Sequence, residues 1–435
     1  MTWPDVMARL RGLRIDVTPL RTSRDFRLLF VAGTVFYLGA MVSYVAIPYQ
    51  IYRITGSNFA VGAVAIVELV PLVVFGLYGG ALADHVDRKR LLVWTGVAQA
   101  VATSVLAANA FAEEANLELI FVVAAILAST SSMQRPSREA LMPRTVRHDQ
   151  LTAANALTGL GMQIGVLLGP AIGGLLIAYV GIGWCFALDV CGLAVASVLF
   201  ALMRPYPHRA ETTAPSLAGI ADGMRYALGR RDLLGTYLVD IIAMLLAFPI
   251  VLFPALVEEV FRRPELLGLL YSAETVGALV ATALSGWISR VHHHGRAIVI
   301  AAATYGACIG LAGLMPSFAL VVVFFALAGA ADMISAVFRG TVWSQTIPES
   351  MRGRMAGIEM LGYSLGPLGG QVRAGVTADL WSVRGAITSG GFACVGGVAL
   401  TALWLRDFWG YDARTDPYAV AEREVRIAAG EDPLG

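Results

Sequence analysis

Twelve long apolar segments run through the chain, separated by short polar stretches. A hydrocarbon core of about 30 Å takes about 20 apolar residues as a helix, which is close to the length of these segments. No alternation typical of barrel strands is found, and a helix satisfies its own backbone in lipid, so helices are expected. In chain order the predicted spans are 26–50, 59–83, 91–111, 117–132, 151–179, 184–203, 233–257, 266–289, 297–315, 318–338, 355–378 and 386–405.

Composition agrees with this pattern. The 435 residues are 57% hydrophobic and only 14% charged, whereas about a quarter of the residues of a soluble protein are charged. The formal net charge is +1, so no nucleic-acid partner is indicated. The sequence therefore predicts an all-α, multi-pass protein whose surroundings are the lipid bilayer.

The distribution of arginine predicts the orientation in the membrane. Nearly all of the 32 basic residues lie on the side of the bilayer that also holds the N-terminus. The exceptions are Arg53, Arg262, Arg263 and Arg384 on the other side, and Arg373 inside the eleventh span. Because cytoplasmic loops carry an excess of Lys and Arg, both termini are predicted to be cytoplasmic.

Two internal matches predict that the chain is a duplication. Glu68 precedes Gly80 by the same spacing as Glu274 precedes Gly286, and Gly-Pro-x-x-Gly-Gly at 169–174 is echoed by Gly-Pro-x-Gly-Gly at 366–370. Two repeats of six helices follow from this. The expected division is an N-terminal bundle at 1–203, a cytoplasmic linker with an amphipathic helix at 204–231, a C-terminal bundle at 232–405 and a cytoplasmic tail at 406–435.

Several enzyme and cofactor classes are not indicated. Lys89 is the only lysine and lies between two arginines, so a Walker P-loop is excluded and no cofactor is expected. The cysteines form no C-x-x-C pair. His292, His293 and His294 suggest a metal site, but no acidic residue lies beside them in sequence, so a solvated loop is the preferred interpretation and no metal is expected.

The connection between the second and third spans resembles the G-x-x-x-D-[RK]-x-G-R-[RK] signature of the major facilitator superfamily. Four positions match: Gly80, Asp84, Arg88 and Lys89. His85 and Asp87 depart from the pattern. Asp84 is expected to pair with arginines or a helix N-terminus of the other repeat when the cytoplasmic side is closed, and the alternative is a generic charged loop.

The fifth span resembles the helix-packing signature of the superfamily's exporters. Its residues are Gly165, Gly169, Pro170, Gly173 and Gly174. Small residues allow close helix contact and proline permits a bend, and pure packing is the alternative. With segments 47–52, 251–256 and 345–354, the chain is similar to the superfamily's branch of enterobactin exporters and related drug exporters. One departure concerns Arg135 and Arg138, which are predicted at the cytoplasmic end of the fourth span, so proton coupling by a mid-membrane arginine is not predicted.

Acidic residues inside the spans are the remaining candidates for chemistry. Each charge costs about 3 kcal/mol in a bilayer by insertion scales, so these residues are expected to face the bundle interior. The candidates for proton coupling or substrate binding, in order, are Glu68 and Glu274, then Asp240, Asp189 and Gln50. Asp332 and Glu359 are predicted near the cytoplasmic end, and structural hydrogen bonding is the alternative for all of them. Arg373 is interpreted as the one basic residue within a span, either a counter-ion or a side chain reaching outward.

The resemblance implies a monomeric secondary active exporter of a small organic molecule, siderophore or drug-like, in a bacterial inner (plasma) membrane. It would act by alternating access and proton antiport, with the proton gradient as energy source. A proton-coupled importer of a small solute is the alternative of greatest weight, since topology is the same for both directions. A membrane enzyme and the permease half of an ATP-driven pump remain as weaker alternatives.

Overall fold

The computed structural model describes residues 16–83, 87–206 and 217–428. Twelve long helices account for most of this part of the chain and follow the twelve predicted spans. In chain order they are helix 1 Arg24–Thr55, helix 2 Asn58–Ala83, helix 3 Arg88–Phe111, helix 4 Leu117–Thr145, helix 5 Leu151–Tyr179, helix 6 Ile182–Ala201, helix 7 Arg231–Ala247, helix 8 Leu267–Ala283, helix 9 His294–Leu314, helix 10 Phe318–Thr346, helix 11 Glu349–Leu380 and helix 12 Val383–Trp404.

Eleven helices of the described part are long and apolar enough to cross a membrane. Helix 11 is the predicted span that does not reach this apolarity, since it carries Glu359, Arg373 and several glycines. The end of the molecule where helix 1 begins and helix 12 ends is called the arginine-rich end here, and the opposite end the arginine-poor end. Helices 1–6 form the first repeat and helices 7–12 the second.

Three helices extend well beyond their predicted spans at the arginine-rich end. Helix 4 continues past the predicted boundary at 132 to Thr145, and helix 10 continues past the predicted boundary at 338 to Thr346. Helix 11 begins at Glu349 rather than at 355. Polar residues in these extensions resemble a loop by hydropathy, yet a helix hydrogen-bonds its own backbone whether or not lipid surrounds it. Arg339 in particular lies inside helix 10.

Helix 7 is interrupted, whereas the sequence predicts an unbroken helix over 233–257. It ends at Ala247, Phe248 takes an extended conformation, and Pro249 follows. Proline has no N–H to donate and disfavours helical geometry in the residue before it, which explains the break. A 3₁₀ turn at Ile250–Leu252 and a π-helical turn at Leu256–Val260 continue the segment.

The two repeats pack their helices in the same way. Helix 5 lies on helix 1, where a Cβ at Gly169 would be 2.4 Å from the Cβ of Met41. Helix 11 lies on helix 7, where a Cβ at Gly370 would be 2.2 Å from the carbonyl oxygen of Met244. Only glycine permits such close contact between helices. The predicted fold of two six-helix repeats is thus confirmed by equivalent contacts at the echoed glycine motifs.

The segment between the repeats contains the expected amphipathic helix, at Leu217–Leu228. Just after it, the buried Arg230 forms an ion pair with Asp232 and donates to the carbonyl oxygen of Thr346 at 2.7 Å. Arg230 also donates to the hydroxyl of Tyr226 at 2.7 Å. This arginine therefore connects the linker helix with the start of helix 7 and the end of helix 10.

The tail after helix 12 is helical in part, which hydropathy alone does not predict. Pro417–Ala428 forms an amphipathic helix. The ring of Tyr418 lies against the guanidinium of Arg230, with 3.6 Å from the guanidinium carbon to the ring centroid. Arg426 donates to the carbonyl oxygen of Ser344 in helix 10 at 2.8 Å. The tail helix is therefore held against the second repeat.

Candidate functional site

A cavity of about 790 Å³ lies between the two repeats. On helix 1 its wall runs from Phe36 to Ile47, which is the middle of that helix. On helix 4 it runs from Leu127 to the exposed Arg135 and Glu139, towards the arginine-rich end. Helices 2, 3, 6 and 11 complete the lining. The cavity therefore reaches from mid-molecule to the surface at the arginine-rich end, with a volume typical of a small-molecule site.

Apart from Arg135 and Glu139, which pair with each other at the rim, the charged residues on the described wall are three acids on three helices: Glu68, Asp189 and Glu359. Asp189 is 4% exposed, and one of its oxygens accepts a hydrogen bond from the hydroxyl of Ser43. Its other oxygen has no partner in the described part of the chain. A Cβ at Gly39 would lie 2.3 Å from that oxygen, so the glycine leaves room for the carboxylate.

Uncharged polar side chains on helix 3 also face the cavity, and they are absent from the residues predicted from the sequence. Gln99 donates to the hydroxyl of Ser131 at 3.0 Å, while its own amide oxygen has no partner among the described residues. The hydroxyl of Thr103 is likewise buried and unpaired within the described ranges. Buried groups of this kind usually have partners, so these two are available to a ligand or to water. Their one sequence signal is a Gln and a Thr four residues apart within an apolar helix.

Two of the predicted residues, Glu274 and Gln50, are not among the described residues that line the cavity. Glu274 of helix 8 is half-buried, and one of its carboxylate oxygens is unpaired in the described part of the chain. Its backbone packs closely against helix 10, because a Cβ at Gly329 would lie 2.0 Å from the carbonyl oxygen of Glu274. Gln50 is 3% exposed and also has an unpaired oxygen. Glu68 and Glu274, equivalent in sequence, therefore have different surroundings.

Asp240, the third predicted residue, forms a buried ion pair and is not among the described lining residues. Its carboxylate lies 2.8 Å from the guanidinium of Arg339, and the two residues are 4% and 2% exposed. Arg339 also donates to Ser335 at 2.7 Å, and Asp332 lies 4.0 Å away. Arg339 thus lies within helix 10 and is buried, although the predicted span ended at 338.

Arg138 in helix 4 is the counterpart of Arg339. Helices 4 and 10 both have 29 residues, and the two arginines occupy the same position within them. Arg138 is 8% exposed, donates to the hydroxyl of Tyr37 at 2.7 Å and stacks over that ring. This equivalence is the signal that could have identified Arg339 from the sequence.

Arg373 is neither a counter-ion nor a side chain reaching outward, because it binds backbone carbonyls. It donates to the carbonyl oxygens of Leu245 and Ala386, each at 3.3 Å. Leu245 lies in the last turn of helix 7, just before the break at Phe248. Carbonyls at such a helix end lack intrahelical partners, so Arg373 stabilises the interruption of helix 7.

The signature-like connection between helices 2 and 3, which contains Gly80, Asp84, Arg88 and Lys89 and is called the gate motif here, is described only in part. Asp84 lies outside the described residues, and Gly80 is in the last turn of helix 2. Asp87, which replaces the glycine of the signature, caps helix 3 by accepting from the backbone N–H of Arg90 at 3.1 Å. Lys89 donates to the carbonyl oxygen of Met203, after helix 6, at 2.5 Å. Lys89 thus connects helices of the same repeat.

The helix-packing motif of helix 5 has two contact faces. Gly165, Gly169 and Gly173 approach helix 1, because a Cβ at any of the three would lie no more than 3.3 Å from atoms of that helix. Gly174 instead meets helix 8 of the other repeat, where a Cβ would lie 2.3 Å from the backbone nitrogen of Gly268. Pro170 is buried, and helix 5 continues through it to Tyr179.

Tyrosines of helix 1 seal the arginine-poor end against the second repeat. The hydroxyl of Tyr49 donates to Glu258, and the hydroxyl of Tyr52 donates to Glu259. Arg53 lies 3.5 Å from the carboxylate of Glu258. Both glutamates belong to the π-helical turn that follows the break in helix 7. The interruption thus presents two neighbouring carboxylates to helix 1.

A second contact at this end joins helix 11 to the start of helix 2. One oxygen of Asp379 accepts from the backbone and side-chain nitrogens of Asn58, at 2.9 and 3.0 Å. The other accepts from the hydroxyl of Ser57 at 2.6 Å and from the backbone nitrogen of Phe59 at 2.9 Å. Asp379 therefore caps a helix of the opposite repeat, and the cavity is closed on this side.

The histidine triplet contacts the tail. The ring of His293 lies 3.5 Å from the carboxylate of Asp412, so the tail supplies an acidic neighbour that the sequence did not indicate. Hydrogen bonds from Arg414 lower the pKa of Asp412 to about 2. His294 is buried against Phe338, with 5.3 Å between ring centroids. Within the described ranges, no group of His, Cys, Asp or Glu side chains is arranged to hold a metal ion.

Comparison with known proteins agrees with this architecture. Residues 16–420 match the family model of transmembrane secretion effectors, a family of the major facilitator superfamily. The chain belongs to this family. This transmembrane secretion effector is 27% identical to the enterobactin exporter EntS of Shigella boydii over 391 residues, which covers 89% of this chain and 94% of the relative. The same identity and coverage are found with EntS of Escherichia coli.

Solved structures show the same fold at low sequence identity. A bacterial homologue of the human lysosomal transporter Spinster, in an inward-facing and unoccupied conformation, has a TM-score of 0.68 at 14% identity, covering 92% of this chain and 96% of the other. A bacterial homologue of the iron transporter ferroportin has a TM-score of 0.66 at 16% identity, covering 89% and 98%. Membership of the secretion-effector family and the similarity to EntS make this chain a multi-pass membrane transporter and not an enzyme.

Proposed function

We propose that this transmembrane secretion effector exports a small organic molecule, siderophore or drug-like, across a bacterial inner membrane by alternating access. The observation that carries the proposal is the cavity, which is open at the arginine-rich end and sealed at the other. If the arginine-rich end is cytoplasmic, as the excess of basic residues indicates, the cavity is ready to take substrate from the cytoplasm. The similarity to enterobactin exporters supports the outward direction.

During transport the arginine-poor end would open and the arginine-rich end would close. The contacts of Tyr49, Tyr52 and Asp379 would separate, while the arginine-rich ends of the two repeats would approach each other. The glycines at the contact of helices 5 and 8 permit close backbone contact without interlocking side chains. This is the rocking of one repeat against the other that a site between two repeats requires.

Energy would come from proton antiport through a carboxylate of the cavity. Glu68 and Asp189 lie on the wall, so either can meet protons from the side that is open. A carboxylate that is ionised when facing one compartment and protonated when facing the other couples the two fluxes. Glu274, outside the described wall, would act only if water connects it with the cavity.

Transport in inside-out vesicles tests this proposal. Respiration acidifies the lumen, and antiport should then drive labelled enterobactin or tetraphenylphosphonium inward, with collapse on adding a protonophore. Glu68→Gln and Asp189→Asn remove ionisation with little change of shape and should abolish gradient-driven accumulation. Glu118→Gln, an exposed carboxylate at the start of helix 4, serves as control.

Each outcome decides between stated alternatives. Full gradient-driven transport in Glu68→Gln, Asp189→Asn and Glu274→Gln, separately and together, would contradict coupling by these acids. Accumulation in right-side-out vesicles with acid outside, instead of in inside-out vesicles, would favour the proton-coupled importer.

Orientation needs its own test. A green fluorescent protein fused after Arg426 should be fluorescent, and alkaline phosphatase fused there should be inactive, because both termini are predicted to be cytoplasmic. The opposite pair of results would overturn the assignment of the arginine-rich end, and with it the direction of transport.

A further inference from the structure

We propose that the cavity selects a lipophilic cation, such as an amphipathic amine or a quaternary onium ion, over an anion of the same size. This inference rests on the proposed function only in treating the cavity as the substrate site. It narrows the substrate from siderophore or drug-like molecules to a class defined by charge.

The charges on the wall carry the argument. Among the described lining residues the charged ones are Glu68, Arg135, Glu139, Asp189 and Glu359. Arg135 and Glu139 lie 3.0 Å apart at the exposed rim and neutralise each other. Three carboxylates, contributed by both repeats, therefore remain without a basic partner on the described wall.

Arg138 and Arg339, the buried arginines of helices 4 and 10, contact other groups, and one nitrogen of each guanidinium has no partner in the described part of the chain. Arg138 donates to Tyr37 and stacks over its ring, and it is not among the described lining residues. Arg339 pairs with Asp240 in the second repeat. An anionic ligand would thus meet hydroxyl and amide donors, and the one guanidinium on the described wall, that of Arg135, is already paired with Glu139 at the rim. Burying an ionised group without a partner costs several kcal/mol, so such a ligand is disfavoured.

The rest of the wall suits the apolar body of a cation. The lining includes the rings of Phe36, Tyr44 and Tyr363 among aliphatic side chains. Aromatic faces attract cations within about 6 Å of the ring centroid, and the attraction strengthens when water is excluded. Asp189 offers a negative charge on the same wall as these rings. It is buried, and one of its oxygens has no partner among the described residues.

Tetraphenylphosphonium and tetraphenylborate provide a matched pair of probes, because they share shape and size and differ in the sign of charge. Equilibrium binding of each is measured separately to the full chain in nanodiscs, with the signal of empty nanodiscs subtracted. The expected Kd for tetraphenylphosphonium is at least about tenfold lower than that for tetraphenylborate, a ratio that corresponds to ~1.4 kcal/mol.

Variants of the wall identify the groups responsible. Asp189→Asn and Glu68→Gln should each raise the Kd of tetraphenylphosphonium about tenfold and leave that of tetraphenylborate unchanged or lower. Glu118→Gln should change neither. Size-exclusion profiles and thermal unfolding show whether each variant is folded, and Glu68→Gln tests the inference if Asp189→Asn is not.

Equal or tighter binding of tetraphenylborate would overturn the inference, as would unchanged binding of tetraphenylphosphonium in both wall variants. The experiment needs no proton gradient. Charge-selective binding together with failed gradient-driven transport would therefore refute antiport and leave the cation site intact, whereas anion-preferring binding would refute the cation site and leave export open.

Discussion

Replacing Asp379 by asparagine should weaken the seal of the arginine-poor end by an amount that the contacts allow one to work out. In Asp379→Asn one accepting oxygen becomes an NH₂ group, so two of the four hydrogen bonds to the start of helix 2 are lost. Because Asp379 is exposed, each bond is worth about 0.5 kcal/mol, the low end of the usual range. Losing the charge at a helix N-terminus costs about 0.5 kcal/mol more. The total of about 1.5 kcal/mol is roughly a tenfold shift in the ratio of open to closed forms.

Distances between spin labels measure that ratio. Ala112→Cys and Ser317→Cys place labels at exposed positions of the arginine-poor end, one on each repeat, in a background without the native cysteines. Pulsed electron paramagnetic resonance measures the distance between the two labels. In Asp379→Asn the ratio of the long-distance (open) to the short-distance (closed) population should be about tenfold higher than in the wild type. Glu265→Gln is the matched control, since Glu265 contacts Arg263 of its own repeat. An unchanged distribution in Asp379→Asn, or the same change in the control, would refute the reasoning.

Other contacts in the molecule lead to three more expectations. Asp240→Asn should lower the free energy of unfolding by about 3 to 5 kcal/mol, because it leaves Arg339 buried without its partner. Thermal unfolding in detergent should show that the double variant with Arg339→Gln recovers part of this loss. Equal stability of the wild type, Asp240→Asn and the double variant would contradict a buried ion pair. Gly268→Ala adds a Cβ 2.5 Å from the carbonyl oxygen of Pro170, which forces helices 5 and 8 apart. The same spin labels should then report a smaller fraction of molecules closed at the arginine-poor end. An unaltered fraction would show that helices 5 and 8 separate at no cost in free energy. Asp84→Asn should slow transport in vesicles while the protein stays folded, as the gate motif predicts, and wild-type rates would argue against that role.

Hydropathy predicted the twelve helices well because most of their length is apolar. It failed where a helix continues through polar residues beyond its apolar segment. The extensions of helices 4 and 10 carry Arg138 and Arg339, whose side chains are buried against other helices. By composition alone such a segment is indistinguishable from a charged loop, so Arg339 was assigned to the wrong environment.

The candidate site was predictable only in part, because the sequence does not show which face of an apolar helix meets its neighbours. Glu68 and Asp189 were identifiable because a carboxylate inside a membrane span is energetically costly and therefore rare. Gln99 and Tyr44 did not, as polar and aromatic residues are common in such helices, and only the packing brings them to the cavity. Equivalence between repeats does not extend to the cavity, since Glu68 is among the described lining residues and Glu274 is not.

The tail helix Pro417–Ala428 offers an attachment point from which motion of the second repeat can be followed. Tyr418 lies on Arg230 and Arg426 bonds to helix 10, so the helix is fastened to the second repeat. A fluorophore attached to the last turn of this helix would therefore move together with the second repeat. Single-molecule energy transfer between such a label and one on the first repeat would follow individual transport cycles in time, without placing any dye inside the bilayer.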